Sequence, residues 1–151
     1  MNQFKSVDEI LDFAIEAEQD ALEFYTKLAE STHNLQMKTV FGEFAQEEMQ
    51  HKARLMGIKQ NKTMEFSNEK VMDMKVADFI AHVTVSPDMT YADALIVAMK
   101  KEKAAFKLYL ALSERVADSN MKALFLSLAQ EESKHKLRFE IEYDENVLKE
   151  N

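Results

Sequence analysis

Residues 14–55 of this chain recur at 98–139, shifted by 84 positions and without a gap. Identical pairs include Ala14/Ala98, Glu18/Glu102, Ala21/Ala105, Tyr25/Tyr109 and Leu28/Leu112. They continue through Met37/Met121, Phe41/Phe125, Ala45/Ala129, Glu47/Glu131, Glu48/Glu132 and His51/His135. A unit this long that occurs only twice is not a solenoid. It describes two copies of one hairpin, joined by a connection.

The hairpins should be helical. The chain has only two glycines and one proline, too few turn residues for a β-rich fold of 151 residues. Ala, Leu, Met, Glu, Lys and Gln dominate, and these favour helices. Ser6 to Glu9 has the form of a capping box, which predicts a helix from there to about Glu30. After a polar break at Ser31–Asn34, a second helix should reach about Met56, with Gly57 as its C′ residue. The connection then spans Ile58 to Met89, with a short amphipathic piece at Val76–Ile80 and a turn at Pro87. Thr90 caps a third helix to about Val116, and a fourth follows Asp118–Asn120 to about Asn146. The expected fold is all-α: a four-helix bundle of two hairpins with one long crossover, a single domain over residues 1–151.

Each helix has an inward seam at spacings of three and four. The seams are Leu11, Ala14, Glu18, Ala21, Tyr25, Leu28, then Phe41, Phe44, Glu48, His51, Leu55, Ile58. In the second hairpin they are Leu95, Ala98, Glu102, Ala105, Tyr109, Leu112, then Phe125, Leu128, Glu132, His135, Phe139. All are apolar except near the middle, where the first and third carry Glu and the second and fourth carry Glu-x-x-His. A buried unpaired carboxylate costs several kcal/mol, and four in one layer would also repel one another. Two divalent cations relieve both costs. Residues three apart on a helix share a face, so Glu48/His51 and Glu132/His135 can each reach one metal. Oxygen and imidazole donors together suit iron or manganese, and zinc also fits. The expected metal ligands are therefore Glu18, Glu48, His51, Glu102, Glu132 and His135, holding two metal ions.

Other residues take plainer readings. Tyr25 and Tyr109 lie two turns past Glu18 and Glu102, where a buried hydroxyl usually finds a hydrogen bond; they are expected to bond a ligand carboxylate. Glu47 and Glu131 sit about 100° round the helix from the seam and read as surface charge. His33 falls in a turn and His82 in the crossover, both as structural or exposed residues. The ten methionines read mostly as flexible core filling. Met49 lies between Glu48 and His51, where bacterioferritins place a haem-ligating Met, but a single residue is a weak signal.

The paired Glu and Glu-x-x-His positions resemble the ferritin-like superfamily. Ala98-Met99-Lys100-Lys101-Glu102 and Leu108-Tyr109 are most similar to its rubrerythrin branch. That resemblance implies a di-iron carboxylate site and an oxidoreductase that reduces hydrogen peroxide or dioxygen. Rubrerythrins usually carry a rubredoxin domain with a Cys-ligated iron, and this chain has no cysteine, so electrons are expected from a separate donor protein. Rubrerythrins also usually have an additional Glu three residues after the third-helix ligand. Here that position is Ala105, which leaves a symmetric set of six ligands. The alternative is a ferritin-like protein that binds and stores iron with ferroxidase activity. A metal-free helical interaction module is a weaker third reading.

A net charge of −8 argues against nucleic acid and anionic membranes as partners. The absence of cysteine excludes disulfides and iron–sulfur clusters within the chain. No apolar run approaches the roughly 20 residues of a membrane helix, and Met1–Glu18 lacks the pattern of a signal peptide. A cytoplasmic location is expected. Each hairpin holds half of the ligands, so a homodimer is expected, in which the long crossover allows domain swapping.

Overall fold

The computed structural model of the chain describes residues 3–61 and 73–148. Four helices account for most of them: α1 (Val7–Ser31), α2 (Leu35–Asn61), α3 (Tyr91–Arg115) and α4 (Ser119–Tyr143). α1 pairs along its length with α2, and α3 with α4. This is a four-helix bundle of two hairpins.

Local chemistry sets the helix starts. Ser6 Oγ accepts from the Glu9 amide at 3.1 Å. Asn34 Oδ1 accepts from Met37 at 3.1 Å, and Asp118 Oδ1 from Asn120 at 3.2 Å. At Thr90 the reciprocal box closes: its hydroxyl takes the Asp93 amide, and the Asp93 carboxylate takes the Thr90 amide. Each bond satisfies an amide that the first helical turn leaves unpaired.

Gly57 does not end α2, which continues one turn further to Asn61. A helical glycine costs about 1 kcal/mol relative to alanine. Here Ile58 prolongs the buried seam and Lys59 pairs with Asp12 of α1, which offsets that cost. The crossover therefore starts later than its sequence suggests, and its portion at 62–72 lies outside the described residues. α4 likewise ends as an α-helix at Tyr143 rather than Asn146, and passes into a π turn over Asp144–Leu148.

The described part of the crossover is tied down at several points. Asp73 takes two hydrogen bonds from the Arg115 guanidinium, each 3.1 Å. Phe4 donates its amide to the Met74 carbonyl at 3.2 Å, beside a single β-bridge between Gln3 and Lys75. A 3₁₀ turn, Val76–Phe79, then seats Phe79 against the bundle, with Phe4 between it and Phe13.

Apolar packing fills the bundle in two blocks. Leu11, Leu55, Tyr109, Leu112 and Phe125 belong to one, and Tyr25, Phe41, Leu95, Ala98 and Phe139 to the other. The repeat mates Tyr25 and Tyr109 fall in different blocks, as do Ala14 and Ala98. The pseudo-two-fold relating the hairpins thus exchanges the two ends of the bundle. The Glu and His layer is sealed between them. No described helix is long and apolar enough to cross a membrane.

Candidate metal centre

The seam positions carry Glu18, Glu48, His51, Glu102, Glu132 and His135 to the centre of the bundle, all buried. From each of the six, one polar atom has no hydrogen-bond partner: Glu18 Oε2, Glu48 Oε1, His51 Nδ1, Glu102 Oε2, Glu132 Oε1 and His135 Nδ1. Native interiors leave few such atoms, because each forfeits its hydration. Six of them converging in one layer form a set of atoms able to ligate metal.

The donors form two overlapping groups. Glu18, Glu48, His51 and Glu132 make one; Glu48, Glu102, Glu132 and His135 make the other, with ligand atoms within 4.8 Å of one another. Each group could hold a metal ion, and Glu48 and Glu132 belong to both. His51 Nδ1 lies 3.1 Å from Glu132 Oε1, 3.4 Å from Glu48 Oε1 and 3.6 Å from Glu18 Oε2. His135 Nδ1 lies 3.5 Å from both Glu48 Oε1 and Glu102 Oε1. Four carboxylates and two imidazoles, with two residues common to both groups, fit a pair of divalent cations. All six residues come from one chain.

Without metal, protons must balance the charge. Burial pushes the Glu48 carboxyl up to about 8, reinforced by the charges of Glu102 and Glu18. Burial raises Glu132 as well, again with Glu102 and Glu48 adding to it. For His51, burial lowers the pKa, but the neighbouring carboxylates of Glu18 and Glu48 outweigh it and push it up to about 11. His135 rises to about 9 in the same way, through Glu102 chiefly. The metal-free layer therefore holds protons where cations would sit.

A second ring of contacts crosses between the hairpins. The Tyr25 hydroxyl donates to Glu102 Oε1, and the Tyr109 hydroxyl donates to Glu18 Oε1. Burial raises both phenols well above their ordinary range, so they stay protonated as donors. Glu47 and Glu131 are not plain surface charge. Glu131 Oε2 lies 2.5 Å from His51 Nε2, and Glu47 Oε2 lies 3.0 Å from His135 Nε2. A carboxylate on Nε2 fixes the ring and leaves Nδ1 facing the centre. Phe44 stacks on His135 at 3.9 Å between ring centroids and limits its rotation. About 100° from a helix's own seam points at its neighbour in a bundle, which is the signal that a single-helix reading overlooks.

The remaining candidates lie elsewhere. His33 and His82 are exposed, and Met49 is 46% exposed rather than core filling. A fifth buried carboxylate, Glu142, stands apart and is satisfied by the Tyr91 hydroxyl at 2.8 Å and Asn146 Nδ2 at 2.7 Å. A cavity of about 320 Å³ leads between α1 and α3 to Glu18, Glu48, Glu102 and Glu132. Ala17, Ala21, Ala104 and Ala105 narrow it little, and Phe79 and Ile80 of the crossover border it.

A family model described as Rubrerythrin matches residues 9–86 and 93–151. Among solved structures, the fold is similar to a Thermotoga maritima chain whose description proposes a ferritin-like diiron-carboxylate protein. The TM-score is 0.75 at 23% identity, over 97% of this chain and 99% of that one. Among curated proteins nothing matches the sequence.

Proposed function

The chain belongs to the rubrerythrin family, and from that premise we propose that it is a di-iron oxidoreductase reducing hydrogen peroxide or dioxygen with electrons from a separate donor protein. The observation that carries this reading is the set of six buried, partnerless donor atoms shared between two overlapping groups. Two ferrous ions held there would together supply the two electrons that reduction of peroxide to water requires.

The chain's own residues divide the work. Glu18 and His51 would hold one ion and Glu102 and His135 the other, and Glu48 and Glu132, which belong to both donor groups, would be shared between them. Tyr25 and Tyr109 fix one oxygen of Glu102 and Glu18, leaving the other oxygen free to bind. Glu47 and Glu131 orient the imidazoles through Nε2. The two apolar blocks exclude bulk water above and below the layer. The cavity between α1 and α3 admits a small oxidant, and Ala105 keeps it open where most relatives of the branch are expected to place a carboxylate.

Anaerobic loading with two Fe(II) per chain, followed by stopped-flow mixing with peroxide and with dioxygen, tests the reading and ranks the oxidants. Oxidation by either one much faster than free Fe(II) is the expected result. If neither oxidant reacts faster than free Fe(II), the redox proposal fails. Retention of many more than two irons per chain in a large shell would favour storage instead.

A further inference from the structure

The repeat that equalises the interior of the two hairpins fails on their outer surface in an ordered way. α1 carries eight acidic residues and one basic residue, Lys27. α3, its repeat mate, carries five basic residues and three acidic ones. The sign inverts at Glu16/Lys100 and Glu23/Lys107, and between them Gln19 is matched by Lys103. Glu16, Glu23, Lys100, Lys103 and Lys107 are all exposed.

Beside each charged row runs an uncharged one. On α2, Leu35, Gly42, Gln46, Met49, Ala53 and Met56 recur at spacings of three, four and seven, and all are exposed. On α4, Ala123, Leu126, Gln130, Ser133 and Leu137 occupy the equivalent row and are exposed as well. This is the period of a helix seam that meets another helix, in a chain where 30% of residues are charged. Leu35 is 79% exposed and Leu137 56%. Lys52 and Lys59, which reach Gln19 and Asp12, mark the side of α1 that looks toward α2, so the acidic and uncharged rows adjoin on one face. Glu114 on α3 and Glu140 on α4 are exceptions to the basic character of the other face, and Lys27, Lys38, Lys52 and Lys59 to the acidic character of the first.

We propose that copies of this chain associate head to tail, the acidic α1/α2 face of one docking on the basic α3/α4 face of the next. The uncharged rows of α2 and α4 form the centre of the contact, and the Glu16/Glu23 and Lys100/Lys107 rows flank it. Two helices of about 25 residues side by side present a face roughly 38 Å by 20 Å, about 750 Å², close to the ~800 Å² per partner of a standard stable interface. Either face docked on its own kind would set like charges opposite one another. A heterologous contact leaves one face of each kind free in a pair, so association continues until it closes a ring or extends a chain. The metal layer plays no part in this contact, so the proposal is independent of the oxidoreductase reading.

Sedimentation velocity of the full chain over a concentration series tests it. Wild-type protein should associate at about 0.05 M salt, and its dissociation constant should weaken about tenfold or more at about 0.5 M salt, where screening shortens the reach of the flanking charges. Glu16→Lys with Glu23→Lys, and separately Lys100→Glu with Lys107→Glu, should each lose that association, because both faces then carry one sign. Mixing the two variants should restore it. Circular dichroism and bound iron confirm that each variant is folded. A wild-type monomer at low salt, association indifferent to both reversals, or a mixture no better associated than its components overturns the proposal.

Discussion

The two hairpins agree inside and disagree outside. Every donor at the centre has a repeat mate of the same type, and so do both tyrosines and both histidine-orienting glutamates. The outward rows of α1 and α3 differ in charge at mate after mate. A buried layer tolerates little change, because each carboxylate there is stabilised only by a specific counter-charge or donor. An exposed row is free to diverge, since most surface substitutions alter stability by less than about 0.5 kcal/mol. The difference separates what the site demands from what each hairpin's surroundings demand.

The comparison is sharpest within the buried layer, where bridging and terminal ligands should part ways. Glu132→Ala removes a residue shared by both donor groups and should abolish binding of both ions. Glu18→Ala removes a residue of one group only and should spare one ion. Metal content by elemental analysis separates the two outcomes, and equal loss in both variants breaks the bridging assignment. Helicity should persist in each, because the apolar seams are intact. The metal-free Glu132→Ala bundle should be at least as stable as wild type, since the cost of burying that carboxyl is gone.

Next in size are the orienting carboxylates. Glu131→Gln and Glu47→Gln should each weaken metal binding by about 10- to 100-fold, the usual loss when a ligand histidine's partner is removed. If the hairpins are equivalent at this level, the two variants should match in competition titrations with a chelator. A large effect from one and none from the other would show that the pseudo-symmetry stops at the ligands.

Acidity should move the metal-free and metal-loaded protein in opposite directions. Glu48, His51 and His135 all have folded pKa values above their ordinary ones, at about 8, 11 and 9. A raised folded pKa contributes stability that is present below the unfolded value and is lost as pH rises through the folded value. The metal-free melting temperature should therefore fall between about pH 6 and about pH 9. Metal displaces those protons, so affinity should rise over the same range, with protons released on binding. A metal-free protein that grows more stable toward alkaline pH would contradict the protonated layer.

A smaller effect is expected at Ala105. Ala105→Leu adds volume beside open space, so stability should change by only about 1 kcal/mol, below the usual cost of overpacking. Metal content should stay at wild-type level while oxidation by peroxide slows. Unchanged oxidation would mean that the oxidant does not travel between α1 and α3.

Much of this was legible in the sequence, for a physical reason. Helix seams, caps and the repeat are local patterns, and a Glu in the middle of an apolar seam announces buried charge wherever the helix packs. Glu47 and Glu131 escaped because their partners lie on the opposite hairpin. Their role depends on how the hairpins face each other, which no single helix encodes. The membership of Glu48 and Glu132 in both donor groups was hidden likewise: spacing pairs each with its own histidine, and only the assembled layer shows them shared. Gly57 misled because an end signal within one helix was weaker than the packing of Ile58 and the Asp12 pair beyond it.

The central claim is that one chain holds two metals bridged by Glu48 and Glu132. Iron analysis and Mössbauer spectroscopy of protein loaded with iron-57 and then oxidised test it together. The account expects two irons per chain whose spins couple antiferromagnetically through the bridge, giving a diamagnetic ground state. One iron per chain, or two irons with the magnetically split spectra of isolated ferric ions, would contradict it.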